Sequence, residues 1–440
     1  VKSVEPNFHE QTKIEEVVKT AHEFNDQNSP VHGIAKGFNV LVIQLESFQY
    51  WLLNKTHEDT EVTPFLNKIY KQGFHWNNIY DATYIGRTSD AEFGFHTGML
   101  PHLQQSSAFT FMTRDLFTFP RALLQDNYQT MSFHGYKKDF WNRTNAHPFY
   151  GIERMHFIED YDFKEKLGLG IPDKTLFPAI VDTLAREKDP FYAFVISLSC
   201  HHPYNAVPQE TADYFPETSK KLKFFAGYLK LARYTDEALE DMYNRLEEKG
   251  LLQNTIVVIY GDHDLGVIGG MGPAEYYREL FDGYRNLLGV NPHGAREDRI
   301  PITMLLPGKQ VEIQPHLEKW TETPGTLIDF FPSIFHLLGK PVPKGVMGSH
   351  LFQSRDSLVP LPQFVDRIDR ITYSVFMDKE GLNFHAPEQN KRFLFSGEEE
   401  IGSVDFEKAN RTQKIRTAND LILVHDWQGL FRDGAATGSE

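Results

Sequence analysis

The chain has 440 residues, 40% hydrophobic and 13% aromatic, and its 45 Lys and Arg against 60 Asp and Glu give a net charge of −15. That length exceeds an ordinary single domain and can bury a sizeable core, so one large domain with an appendage is expected. The acidic balance argues against broad nucleic-acid binding, which needs a basic stripe, and the single cysteine, Cys200, allows no intrachain disulfide.

In chain order, residues 1–36 read as an amphipathic helix, QTKIEEVVKTAHEFN, followed by a Ser-Pro-Val-His-Gly turn. FNVLVIQLES is then a nearly continuous apolar run, the pattern of a strand buried on both faces of a parallel sheet. TPFLNKIYKQG predicts a helix with Thr63 as N-cap, Pro64 at its first position and Gly73 at its end. YQTMSFHG, FYAFVISLSC, NTIVVIYGDHD and IPITMLLPG repeat the buried-strand pattern, with helical stretches such as YLKLARYTDEALEDMYNRLEEKG between them. The apolar runs are strand-sized and fall short of the roughly 20 residues of a membrane helix. Alternation of this kind predicts an α/β domain with a mostly parallel sheet flanked by helices, over residues 37–345. Residues 346–440 read as a small C-terminal α+β subdomain: short antiparallel strands at ITYSVFMDKEGLNFHA and KRFLFSG, then a long helix over DFEKANRTQKIRTANDLILVHDW.

Polar clusters follow the strands VIQLES, VISLSCHH and VIYGDHD, where open α/β sheets place ligands. Asp262 and His263 at one strand end are a metal-ligand pair or hydrogen-bonded turn residues. Glu46, at the end of another, is a costly buried carboxylate without a cation or donors. YIGRTSDAEF, residues 84–93, has two readings: Ser89 or Asp90 caps a helix, or Thr88 is a nucleophile at a helix entrance. A Thr hydroxyl is a weak nucleophile near neutral pH, and metal coordination is one of the few ways to activate it. Read jointly, Glu46, Asp262 and His263 would hold a cation against Thr88. FHGYKKDFWNR adds His134, Lys137, Lys138, Trp141 and Arg143, either a phosphate-and-headgroup clasp or a surface loop around one Trp. His201 and His202 offer an acid–base group and a structural histidine. Cys200 reads as a packed side chain, and HHPYN after it lacks the Cys-x-Pro-x-Arg arrangement of a conventional sulfatase.

LESFQ, VTPFLNK, RTSDAEF, FHGYKKDFWNR, SCHHPY, YGDHD and DFFPSIFHLLG, in this order over roughly residues 38–350, resemble the extracellular catalytic domain of the lipoteichoic acid synthase family. That family lies in the alkaline phosphatase and sulfatase superfamily. The resemblance implies Glu46, Thr88, Asp262 and His263 as metal ligands, with manganese as the usual ion and magnesium or zinc as alternatives. It implies Thr88 as nucleophile, and His134, Trp141, Arg143 and His201 as glycerophosphate-binding residues, with His201 also handling protons. The implied reaction moves glycerophosphate from phosphatidylglycerol to a growing polyglycerolphosphate chain through a phospho-threonine. The implied partners are the phosphatidylglycerol head group, a polyglycerolphosphate or glycolipid acceptor and the membrane surface, with no nucleic acid. The implied location is the outer face of a Gram-positive cell membrane, or release after cleavage from an N-terminal anchor absent from this chain. A glycolipid-directed primase, a related phosphodiesterase or phosphoethanolamine transferase, and a silent teichoic-acid-binding accessory protein stay open as alternatives. The sequence departs from the family pattern at Arg87, Tyr136, Cys200 and Asp264, none of them a proposed metal ligand.

Overall fold

The computed structural model describes residues 12, 14–19, 25, 28–188, 190–265, 274–288 and 299–353, with further elements between 359 and 431. The buried runs form strands β1 (Asn39–Leu45), β2 (Phe74–His75), β3 (Gln129–His134), β4 (Arg154–His156), β5 (Phe191–Ile196), β6 (Thr255–Gly261) and β7 (Ile302–Leu305). They make one sheet in the order β2-β7-β6-β1-β5-β3-β4. Pairs from β6 through β4 are parallel, whereas β7 runs antiparallel to both β6 and β2. The mostly parallel α/β sheet expected from the sequence is therefore present, with the direction of IPITMLLPG reversed at one side.

β1 is buried at all seven positions. Leu41, Ile43 and Leu45 enter one apolar layer, and Val40 and Val42 enter the other. At about 1.5–3 kcal/mol for each large side chain removed from water, this double burial makes β1 the axis of the domain. The helices used below are α1 (Pro64–Tyr70), α2 (Thr88–Thr97), α3 (Arg143–Tyr150), α4 (Asp173–Leu184), α5 (Lys223–Glu248), α6 (Ala274–Leu288), α7 (Phe330–Leu338) and α8 (Phe406–His425). Leu229, Leu239 and Met242 of α5, with Leu176 and Ile180 of α4, cover the Leu41 face. Ala91 and Phe95 of α2, with Phe330 and Ile334 of α7, cover the Val42 face.

α1 starts at Pro64 as predicted, but Thr63 does not cap it: its hydroxyl donates to Leu52 O at 2.9 Å. The carboxylate of Asp236, on α5, accepts the Phe65 and Leu66 N–H groups instead, at 2.8 and 2.9 Å. Asp236→Ala is expected to cost about 2 kcal/mol, because two helix-start donors lose their acceptor. A lower urea midpoint with an unchanged slope would show it, and an unchanged midpoint would assign the cap elsewhere.

After residue 345, the antiparallel strands Thr372–Met377, Gly381–Ala386 and Gln389–Leu394 precede α8. α8 docks on the main sheet's helices through Asn419, whose side chain pairs with both the N–H and the C=O of Leu100, each at 2.9 Å. Ile422 and Leu423 join Phe93 and Met99 in one buried cluster, as do Ile14 and Val18. Of the amphipathic helix expected at the start of the chain, residues 14–19 are helical, and most of the remainder lies outside the described residues.

Candidate active site

Adjacent strands deliver the polar residues to one end of the sheet. In the order β6-β1-β5-β3, β6 leads into Asp262 and His263, β1 into Glu46, β5 toward His201, and β3 ends on His134. Leu45 and Gly261 are register partners, so Glu46 and Asp262 leave their strands side by side. Ser47 then adopts a left-handed φ of 57°, and its N–H donates to Asp262 Oδ1 at 2.8 Å. The Ser47 hydroxyl donates to Glu46 Oε1 at 3.1 Å, and the Glu46 N–H donates to Ser197 Oγ at 2.9 Å.

Ligand atoms of Glu46, Asp262 and His263, all buried, lie within 4.8 Å of one another. His263 Nε2 stands 3.6 Å from Glu46 Oε1 and 3.4 Å from Asp262 Oδ2. Its Nδ1 lies 2.7 Å from Asp264 O and 3.0 Å from Arg87 Nη2, so the ring is held from that side while Nε2 faces the two carboxylates. Burial and the nearby Arg87 guanidinium push the imidazole down to about 4, which keeps it neutral. Asp262 Oδ2 is buried without a hydrogen-bond partner. Burial and the charge of Glu46 drive the Asp262 carboxyl upward, since two adjacent buried carboxylates cannot both ionise unaided. A divalent cation with mixed oxygen and nitrogen preference fits this donor set, because it satisfies the orphaned oxygen and both charges together.

Thr88 opens α2, and its Oγ1 lies 3.2 Å from Glu46 Oε2 and 3.2 Å from His263 Nε2. Neither Ser89 nor Asp90 is the helix cap that the sequence allowed. The Ser89 hydroxyl donates to Gly86 O at 2.7 Å, and Asp90 reaches back to the preceding loop. One Asp90 oxygen accepts the N–H groups of Tyr84 and Gly86, at 3.1 and 2.8 Å. The other accepts that of Ser107 at 3.2 Å. A Cβ on Gly86 would sit 2.2 Å from this carboxylate, so only glycine passes here. Arg87 follows with φ 43° and forms an ion pair with Asp264. The departures from the family pattern at positions 87 and 264 are thus partners in space, and Asp264 is in turn held through its N–H by Asp81 at 3.0 Å.

Of the residues expected to bind substrate, Arg143 is almost wholly buried on α3. Its Nε and Nη2 donate to Glu92 Oε1 at 3.0 and 2.7 Å, while Nη1 is buried with no acceptor. His134 holds Ile196 O through Nδ1 at 3.0 Å, and burial with the Arg143 charge pushes it down to about 3. His201 lies within electrostatic reach of Glu46, its ring stacked on His202 at 4.5 Å. Trp141 has φ 55° and is half-buried, edge-on to Phe140 and Phe109. Cys200 is a buried core thiol.

The supporting residues went unseen in the sequence. Glu92 carries Arg143 and also accepts from His147 Nε2 at 2.9 Å. Asp173 accepts the N–H groups of Leu198 and Ser199, at 2.9 and 3.1 Å, fixing the turn before His201. One signal was available: Thr88, Glu92 and His96 are spaced by four on a helix buried at all ten positions. A polar stripe on so buried a helix has to face polar partners.

A mostly parallel sheet with a carboxylate–imidazole cluster and a helix-entrance hydroxyl at its carboxyl ends is the architecture of the alkaline phosphatase and sulfatase superfamily. The sulfatase family profile matches residues 38–340, and the chain belongs to that family. It is 33% identical over 330 residues to the lipoteichoic acid synthase of Staphylococcus saprophyticus, covering 73% of this chain and 48% of that protein. It is 30% identical over 424 residues to lipoteichoic acid synthase 1 of Bacillus subtilis, covering 92% of this chain and 63% of that protein. The chain thus spans roughly half to three-fifths of these relatives. The crystal structure of the lipoteichoic acid synthase LtaP from Listeria monocytogenes superposes with a TM-score of 0.78 at 22% identity, covering 92% of this chain and 98% of that one.

Proposed function

We propose that this chain is the catalytic part of a metal-dependent glycerophosphotransferase, moving glycerophosphate from phosphatidylglycerol to a growing polyglycerolphosphate chain. The observation that carries the reading is Thr88 Oγ1, 3.2 Å from both Glu46 and His263 beside the orphaned Asp262 Oδ2. The likeness to lipoteichoic acid synthases supports it.

Glu46, Thr88, Asp262 and His263 are the proposed ligands of a manganese ion. When bound, that ion supplies Lewis acidity that favours the threonine alkoxide and neutralises phosphoryl charge. Thr88 Oγ1 attacks phosphorus, the bond to the diacylglycerol oxygen breaks, and that oxygen takes a proton from His201. An acceptor hydroxyl then gives its proton to His201 and displaces Thr88, restoring the enzyme. Arg143 Nη1 and His134 bind the phosphoryl oxygens and glycerol, and Trp141 flanks the head group. We assign the catalytic unit to residues 37–345 and a small α+β unit to 346–440, working at the outer face of a cell membrane. Among the described residues, no helix is long and apolar enough to cross a membrane.

Fluorescent phosphatidylglycerol tests the reading. Diacylglycerol release is expected to need manganese, stop on chelation and return when the metal is restored. A chain that binds manganese yet releases no diacylglycerol would sink it.

A further inference from the structure

Eight large hydrophobic side chains are exposed among the described residues, and half of them lie on three segments bonded to one another: Tyr84 (38%), Ile85 (53%), Phe109 (59%) and Phe140 (37%). Tyr84, Ile85 and Phe140 lie on segments that lead into the site, and Phe109 lies on the helical turn Ser107–Thr110 beside them. Ile85 is followed by Gly86, Arg87 and Thr88, and Phe140 by Trp141, with Arg143 two residues further on. The loops are fastened to one another. The buried Asp90 carboxylate holds the Tyr84 and Gly86 N–H groups on one side and that of Ser107, in the turn carrying Phe109, on the other. Asn142 Nδ2 donates to Ala108 O at 2.7 Å. The Phe109 and Trp141 rings meet edge-on at 6.4 Å, and Trp141 meets Phe140 at 5.6 Å. The result is an apolar crest on segments tied to one another: Phe109, Trp141 and Phe140 in ring contact, and Tyr84 and Ile85 on the loop bonded to the same Asp90 carboxylate.

We infer that this crest enters the acyl-chain boundary of a lipid bilayer and holds the mouth of the site against the membrane surface. The inference rests on the glycerophosphotransferase reading. Thr88 is buried, so a phospholipid phosphate that reaches it has to leave the head-group plane while its acyl chains emerge beside the loop that carries Tyr84 and Ile85. An apolar crest there continues the hydrocarbon environment those chains come from. A protein seated on the same residues would instead stand over the loop that presents Thr88. Aromatic side chains suit the contact, since they bury large area at a water–lipid boundary. Exposed apolar residues gathered at one place mark a binding surface, whereas scattered ones need no explanation. Charge contributes little: Lys138 is paired with Asp160 at 2.7 Å, and the exposed Lys137 and Asp139 offset each other. The contact is therefore expected to persist in high salt, despite a net charge of −15 that repels anionic lipid.

The test is co-sedimentation of the full chain carrying Thr88→Ala, so that no turnover intervenes. The vesicles are phosphatidylcholine alone and phosphatidylcholine mixed with phosphatidylglycerol. The parent is expected to partition onto both. Ile85→Ser, Phe109→Ser and Phe140→Ser together should lower the partition by at least about tenfold, and Phe109→Ser alone by about threefold. These side chains are exposed, so an unchanged thermal midpoint is expected to accompany the loss. Val311→Ser with Val424→Ser, exposed apolar sites on other elements, should change nothing. No partition of the parent, equal partition of the triple variant, or equal loss in the Val control would each overturn the inference. Crest-dependent binding without diacylglycerol release under any metal would keep the docking surface and remove the transferase reading. Release from detergent-dispersed phosphatidylglycerol without crest-dependent partition would do the reverse.

Discussion

Thr88→Ala is expected to lower metal-dependent diacylglycerol release by at least about a thousandfold while leaving the fold intact. The side chain loses only Oγ1 and one methyl, and the backbone keeps its place at the entrance of α2. Glu46, Asp262 and His263 remain, so the variant should still bind manganese, somewhat more weakly. Loss of turnover without loss of metal therefore separates a nucleophile from a mere ligand. Thr88→Ser keeps the hydroxyl and should recover most of the activity. Acid quenching of the unaltered chain with phosphatidylglycerol and no acceptor should leave a glycerophosphoryl group on the peptide containing Thr88. An alanine variant that retains a tenth of the activity would mean that water or another side chain makes the attack.

The parts of this site readable in the sequence are those dictated by strand ends. NVLVIQL and TIVVIYG are buried throughout and mostly apolar, and Glu46 and Asp262 are the first carboxylates after each run. A carboxylate in that place has to meet a cation or donors, so its chemistry follows from local pattern alone. The positioning residues obey no such rule. Asp236, Asp173 and Asp90 each accept backbone N–H groups from segments far along the chain or across a turn. Before the fold is known, such an aspartate is indistinguishable from one on a solvated helix face. The same holds for Arg87 and Asp264, whose pairing spans 177 positions. Strand direction was likewise hidden in IPITMLLPG, because both faces of β7 are buried whichever way it runs. Ser89 and Asp90 fitted a cap by composition, yet Gly86 lets the chain come so close that Asp90 is used to bind the loop instead.

Glu92→Gln is expected to destabilise the fold by about 3 kcal/mol near neutral pH, the largest loss foreseen for any single supporting residue. Glu92 is 2% exposed and Arg143 1%, so the guanidinium has little water to fall back on when its counter-charge is removed. Burial raises the Glu92 carboxyl, but Arg143 and then His147 outweigh it and bring it down to about 2, against 4.5 for an ordinary glutamate. A folded-state value below the unfolded one stabilises the native state above about 4.5, and that contribution fades as the pH falls through about 2. The gap between the unaltered chain and the glutamine variant should therefore be full at pH 7, begin to narrow below about 4.5 and nearly close by about 2. Urea unfolding across that range measures it. A gap that stays constant with pH would show that packing, not charge, is what Glu92 contributes. The same variant should weaken inorganic phosphate binding, since a neutral amide oxygen holds Arg143 Nε and Nη2 less firmly than the carboxylate and leaves Nη1 less well oriented.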